Sequence, residues 1–435
     1  MKKEDKMKRR NFLKTACLSL ITTNLLFKTK AQANQNFDSN NKNVIEFYCM
    51  GGADFRYLFA PKEEGEYKDL YLSKQKDIIN TDEYTDITVD GKTYLIREDA
   101  SFLNNLMTNN KVAIIPNTWF SPTRNHAYSA KKALLGQDTE IKPSNFNDTS
   151  WLGYLSGYTS KNIIQLSPYF SYSCNVNAKD GFLNTQRIAA INTRPFGIQN
   201  NQNFIDKALQ RFFNNYDTNS DNKIVNNFVK QEKNLVQFSN QINENLLDKN
   251  PVMVNTTNGG LNTQIRGLFD CIDSKDIFNS SNYYIGYGSF DFHNDFRSLN
   301  DRFTNVFGKD MALETMVKEL KNRKMWEDTV IVVFSEFGRQ LRQNGRAGKD
   351  HGHGNLMFVI GGDVNGGIYG DMFPESEIPK WKSSAGHDIE GLTNGLSVFA
   401  QITDFISPGL GDIIFPSRDI MITELDKDIY PLFNI

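Results

Sequence analysis

The sequence predicts an α/β fold built on a largely parallel sheet. Short apolar runs rich in Val and Ile recur along the chain, helix-like segments lie between them, and each run gives way to glycines, acids or small polar residues. Continuous apolar runs of this kind suit strands buried on both faces. Their alternation with helices argues for a parallel sheet, in which function collects in the loops beyond the strands' carboxyl ends.

The elements follow in order. NVIEFYC (43–49) runs into MGGAD, and KVAIIPN (111–117) runs into TWFSPTRNH. YYIGYG (283–288) leads to SFDFH, DTVIVVF (328–334) leads to SEFGR, and LMFVIGG (356–362) closes the set. Helices are expected over Tyr128–Gly136 and Gly260–Ile272. From Asp295 to Lys324, Phe296, Leu299, Phe303, Phe307, Leu313, Met316 and Leu320 keep helical spacing. TVDGKTY (88–94) predicts a hairpin turning at Asp90-Gly91. Residues 138–260, rich in Asn, Gln, Phe and Tyr, read as an insertion or cap over the site, with a helix from Asp221 to Leu247.

Residues 1–33 read as an export signal and not as structure. A basic start containing Arg9 and Arg10 precedes the apolar stretch TACLSLITTNLLF, and the A-x-A pattern ending at Ala33 predicts cleavage there. The paired arginines followed by Phe12, Leu13 and Lys14 resemble the twin-arginine type, so the export machinery is an expected partner and the periplasm the expected compartment. The apolar stretch is too short to span a bilayer, and no later segment is long and apolar enough to do so. Lys14-Thr15-Ala16 ahead of Cys17 lacks the apolar lead of a lipoprotein signal.

The formal charge of the chain is −2, and the signal holds nine basic residues and two acids, which leaves −9 on residues 34–435. That balance speaks against nucleic acid or anionic lipid as a partner. Residues 34–435 suit a single large domain. Cys49, Cys174 and Cys271 permit at most one bridge, and Cys49 reads as a small buried hydrophobe.

Acids and histidines gather at the expected strand ends: Asp54, then His126, then Asp291 and His293, then Glu336, then Asp350, His351 and His353. Each has a plain alternative. An Asp after a strand is often a turn or helix cap, His293 could be ordinary surface, and Glu336 could pair with Arg339. DHGHG is sharper, because an Asp-His with a second His two residues on, among glycines, suits metal or catalysis. Together, carboxylates that neutralise a cation and imidazoles that suit zinc or manganese point to a divalent-metal hydrolase. His387 has no comparable neighbours and reads as structural. Asp217, Asn219 and Asp221 keep three spacings of a calcium loop, but Asn222 and Phe228 break the pattern, so a helix-capping loop is the better reading.

These motifs resemble one bacterial family. Arg9-Arg10, GGAD (51–54), FDFH (290–293), SEFGR (335–339), NGRAGKDHGHG (344–354) and VIGGDVNGGIYGD (359–371) are similar to the domain-of-unknown-function 1501 family, exported proteins of the alkaline phosphatase/sulfatase superfamily. The resemblance implies an alkaline-phosphatase-like three-layer α/β/α sandwich with a mostly parallel central sheet. It implies one or two divalent metal ions, zinc, manganese or calcium. Asp54 falls where the superfamily has its first metal-binding acid, and Asp291 and His293 where a later acid and histidine bind. Glu336 falls where many members carry Asp-His, with Phe337 in the histidine's place, and His351 or His353 matches the late histidine.

The nucleophile position departs from the family. Thr123-Arg124-Asn125-His126 puts Asn125 where the family has serine, and an amide cannot form the covalent intermediate that an alkoxide can. Either Thr123 or Ser121 acts instead, or a metal-activated water attacks directly, or the protein only binds. Arg124, Arg56 and Arg339 are the expected anion-binding residues. The leading expectation is an exported metal-dependent hydrolase of an anionic phosphate or sulfate ester, small or polymeric. The alternative is a catalytically silent member serving in binding or assembly at the periplasm or cell surface.

Overall fold

A computed structural model describes residues 37, 39, 41–136, 148–168, 171–176, 249–382, 387–416 and 431–433, together with the strand at 187–189 and isolated helical positions between 211 and 246. The expected signal at 1–33 and the calcium-like loop at 217–228 lie outside the described residues, apart from Asn226. So does most of 138–260, including nearly all of the expected helix Asp221–Leu247.

The strands, in chain order, are β1 (Asn43–Cys49), β2 (Phe59–Pro61), β3 (Tyr84–Val89), β4 (Lys92–Arg97), β5 (Val112–Trp119), β6 (Asn162–Gln165) and β7 (Arg187–Ala189). They continue with β8 (Ser280–Tyr287), β9 (Thr329–Phe334), β10 (Arg339–Gln343), β11 (Lys349–His351), β12 (Asn355–Gly361), β13 (Gly367–Ile368) and β14 (Thr393–Asn394). The central sheet runs β13-β5-β12-β9-β1-β8-β6-β7, with β14 also on β5. Every pairing is parallel except those of β12, which is antiparallel to both β5 and β9. The expected mostly parallel sheet is therefore present, with one strand reversed inside it.

Alternation along the strands divides the core in two. Ile45, Phe47 and Phe358 face one cluster with the helices Ser101–Thr108, Gly259–Asp273, Asn300–Phe307 and Ala312–Asn322. Val44, Tyr48, Val332 and Met357 face the other with His126–Leu135, Trp151–Thr159 and Gly395–Ile406. Helices thus cover both faces, giving the three-layer sandwich.

All five apolar runs form strands. The Asp90-Gly91 hairpin joins β3 to β4, and both turn residues have positive φ, 51° and 79°, as a tight primed turn requires. The helix expected over 295–324 is broken. Gly308 ends Asn300–Phe307, Asp310 takes a φ of 58°, and the chain restarts at Ala312. The apolar spacing continued across a break that it could not register.

One strand residue departs from the apolar rule. Glu46 in β1 is fully buried. It accepts a hydrogen bond from Ser173 Oγ at 2.7 Å, and its second oxygen has no partner among the described residues. Burial pushes its carboxyl up to about 8, against the smaller opposing effect of the Ser173 bond. A folded value above the ordinary 4.5 means its contribution is intact below that pH and is lost as pH rises toward the folded value. Glu46→Gln is expected to leave stability unchanged near pH 4 and to raise it by about 1–3 kcal/mol near pH 8. Urea denaturation at the two pH values checks this; an equal effect at both contradicts a buried neutral acid.

Candidate metal centre

The carboxyl edge of the sheet gathers side chains from four segments. β5 leads through 120–125 to the helix His126–Leu135, β8 leads to Asp291 and His293, and β9 leads to Glu336. Because β12 is antiparallel, its amino end lies at this same edge, and the segment entering it carries Asp350 and His351. Gly51 has a φ of 110°, and a Cβ there would sit 2.6 Å from the backbone nitrogen of Asp291. The loops after β1 and β8 can touch only because that position lacks a side chain.

Arg339 ties these loops together. Its guanidinium is fully buried and donates to the carbonyls of Gly52 (2.8 Å), Lys349 (3.2 Å), Phe290 (3.2 Å) and Gly51, and to Asp291 Oδ1 at 2.8 Å. Burial of Asp291 would raise its carboxyl, but the hydrogen bond and charge of Arg339, with the nearby histidines, hold it well below the usual carboxylate range.

Three imidazoles converge on Asp291, and each is oriented by what its Nδ1 touches. His126 Nδ1 lies 2.9 Å from Glu336 Oε1, His293 Nδ1 lies 3.1 Å from Asp350 Oδ1, and His351 Nδ1 lies 2.8 Å from the carbonyl of Arg124. A carbonyl or carboxylate can only accept, so these partners suit a proton on each Nδ1, the tautomer that turns Nε2 inward as a ligand atom. Those Nε2 atoms meet. His351 Nε2 is 3.1 Å from His126 Nε2 and 3.0 Å from His293 Nε2. Asp291 adds Oδ2 at 3.2 Å from His126 Nε2, and Oδ1 at 3.1 Å from His293 Nε2 and 3.2 Å from His351 Nε2.

Nitrogens facing one another at such distances require a shared proton or a cation among them. An ion bound tetrahedrally at about 2.0–2.1 Å keeps its ligand atoms about 3.3 Å apart, close to the spacings here. His126, Asp291 and His351 offer three ligand atoms within 4.8 Å of one another. His293 stands on the open side, and the outward hydrogen bond on each Nδ1 is the usual support for metal-ligating histidine. The donor set fits a divalent cation.

Glu336 is the most deeply set support. It receives Tyr48 O–H at 2.7 Å and the amide of Gly51 at 2.9 Å besides its bond with His126. Burial would raise its carboxyl, yet the His126 bond, a backbone amide and Tyr48 leave it below the usual value. In return, Glu336 and Asp291 raise His126 above an ordinary imidazole, against half-burial, whereas burial leads the lowering of His351. Phe337 lies beneath, with its ring 4.7 Å from that of His126 and 4.8 Å from that of His351.

Other expected site residues lie elsewhere. Asp54 is buried in an ion pair with Lys349, so a cation from the chain already balances it and it is not among the converging ligands. His353 turns away, bonding the Ser121 carbonyl at 3.0 Å through Nε2 and packing on Trp119. Asn125 caps the helix His126–Leu135, its side chain accepting from Tyr128 N at 3.1 Å, and this gives it a structural task in place of the nucleophile's. Thr123 is exposed and its hydroxyl lies 3.4 Å from Ser121 Oγ. Among the expected anion-binding arginines, Arg56 is buried against Glu377 and Asn117 and Arg339 is spent on carbonyls and Asp291, so neither faces a ligand. Arg124 remains exposed beside the centre, paired with Asp388 at 2.8 Å.

The sequence reading missed Tyr48, Lys349 and Asn344. Asn344 holds the 344–348 turn and reaches the His293 carbonyl and Asp350 Oδ1. A tyrosine one residue before the end of an apolar strand was the only available signal for Tyr48.

Residues 283–377 match the family model described as protein of unknown function, DUF1501, the family that the motifs resemble. Searching curated proteins by sequence finds no match. Among solved structures, the lipoteichoic acid synthase LtaP from Listeria monocytogenes is 12% identical, with 84% of this chain and 79% of that one covered at a TM-score of 0.35. The C-terminal periplasmic domain of EcEptC from Escherichia coli is 10% identical, with 92% of each chain covered, at 0.35. A protein in the alkaline phosphatase superfamily from Vibrio parahaemolyticus is 10% identical, with 91% and 75% covered, at 0.33.

Three outcomes are expected. Asp291→Ala should abolish tight zinc binding, and Glu336→Gln should weaken it about 10–100-fold with the far-ultraviolet spectrum retained. Competition against a chromophoric chelator measures both, and unchanged affinity in both variants removes the centre. Asn125→Ala should cost about 1 kcal/mol of stability through the lost cap and leave zinc affinity unaltered.

Proposed function

We propose that the chain is a metal-dependent hydrolase of an anionic phosphate or sulfate ester, working at the centre formed by His126, Asp291 and His351 with His293 beside it. One observation carries the reading: the Nε2 atoms of three imidazoles and a carboxylate converge, and each Nδ1 meets an acceptor on the outer side. The match of residues 283–377, which contain three of these four residues, agrees with it. Zinc suits the imidazole-rich set best.

When bound, the cation would polarise the ester oxygen and acidify a water near it. The chain's own residues do the rest. Arg339 fixes the carboxylate of Asp291, Glu336 and the Arg124 carbonyl fix His126 and His351, and the Phe337 ring packs against both imidazoles. Arg124 stands where it can meet the anionic group of a substrate by releasing Asp388. The export signal read at 1–33 agrees with action in the periplasm, where twin-arginine transport would deliver a folded, loaded protein.

A second reading has its own support. Asn125 caps a helix and two of three candidate anion-binding arginines are buried in structural bonds, as suits a silent member that keeps the centre for binding or assembly.

Aryl phosphates and sulfates assayed with zinc, manganese, magnesium and calcium distinguish the two. Hydrolysis is the expected result, with His351→Ala lowering kcat/KM at least a hundredfold, or about 3 kcal/mol. Serine also caps helices, so Asn125→Ser preserves the fold. Activity appearing only in that variant, or zinc bound without turnover in either form, favours the silent reading.

A further inference from the structure

Asp388 neither joins the converging ligands nor supports one of them, yet it is fixed beside them. Its Oδ1 accepts the amide of His353 at 2.7 Å, and its Oδ2 takes Arg124 Nη1 at 2.8 Å. Its chain neighbours are pinned as well. The His387 carbonyl accepts from Leu341 N and the Ile389 carbonyl from Gly354 N, both at 2.8 Å.

His353 holds the two sides together. Its Nε2 lies 3.0 Å from the Ser121 carbonyl and its Nδ1 3.4 Å from the amide of Gly391, an arrangement that a proton on Nε2 satisfies at both ends. The second histidine of DHGHG thus ties the segment carrying Arg124 to the segment carrying Asp388. The Asp388 carboxylate can swing off the exposed guanidinium, but its backbone keeps it in the neighbourhood.

A fixed charge there bears on what the centre accepts. Among the groups that touch the ligands or one another, Asp291, Glu336, Asp350 and Asp388 are acids, and Arg339 and Arg124 are bases. Asp54 and Lys349 cancel. A divalent ion held by neutral imidazoles brings this set to no net charge. An entering ester with a single charge leaves it singly negative, one with a double charge leaves it doubly negative, and the repulsion from Asp388 doubles between them.

We propose that Asp388 is a specificity-determining residue, which narrows the centre to singly charged esters, sulfate monoesters or phosphodiesters, against doubly charged phosphate monoesters. The proposal rests on the hydrolase reading for the reaction, whereas the charge preference is a property of binding.

Equilibrium binding to the zinc-loaded full chain separates the two. Phenylphosphonate and benzenesulfonate present the same ring and three oxygens, carry a double and a single charge in mildly alkaline buffer, and hold no ester bond to cleave. Asp388→Asn keeps an acceptor for the His353 amide, so the segment stays in place. The variant is expected to bind both anions more tightly, with the affinity ratio of phosphonate to sulfonate rising about fivefold or more. In turnover the aryl phosphate should gain on the aryl sulfate and the diaryl phosphate, and whichever of the last two the unaltered chain prefers identifies the ester. An unchanged or falling ratio, or no saturable binding of either anion, overturns the proposal. A raised ratio without turnover in either form upholds the charge selection and removes the hydrolase reading alone.

Discussion

Everything at the carboxyl edge depends on the buried guanidinium of Arg339. A charge taken out of water is costly unless its donors are occupied, and here four carbonyls and one carboxylate occupy them. Those acceptors belong to three separate stretches, 51–52, 290–291 and 349. The first two are loops outside regular strands and Lys349 opens β11, so the planar fork supplies the geometry that links them. The orientation of Asp291, and with it the point at which the imidazoles meet, follows from that single group.

The centre above this brace has a consistent polarity. Each ring turns its Nδ1 outward to an acceptor of a different kind: a buried carboxylate, an exposed carboxylate and a backbone carbonyl. The Nε2 atoms point inward. Next to it, Asp54 and Lys349 form a closed pair with almost no exposure, so the two acids that looked alike in the sequence have opposite fates. Among the described residues Asp54 faces Lys349 alone, whereas Asp291 shares its carboxylate between Arg339 and the three imidazoles.

Strands buried on both faces were legible in the sequence because burial demands an unbroken apolar run, and NVIEFYC fills β1 from end to end. The same property hides direction. LMFVIGG reads identically whether parallel or antiparallel, and the reversal of β12 is set by its neighbours. The chemistry of DHGHG was legible from residue type, but the division of labour was not. His351 ends β11 and points to the centre, whereas His353 lies past the turn and packs on Trp119. Asp54 was misplaced because its partner lies 295 positions away, and no local pattern links the two.

The position of β1 within the sheet has a kinetic consequence. It is the earliest of the sheet strands along the chain, yet it sits between β8 and β9, with Val44 paired to both Asn282 and Val330. A nascent chain emerging from the ribosome therefore holds this strand unpaired until β8 is made, 238 residues on from Val44 to Asn282, and half-paired until β9, 286 residues on at Val330. Closing such a long loop is slow, and the waiting strand is wholly apolar apart from Asn43 and Glu46 at the backbone-pairing stage. The strands that join β9 to β5 and flank β5 come later still, because β12, β13 and β14 follow β9 in the chain, so completion of the sheet is a late event.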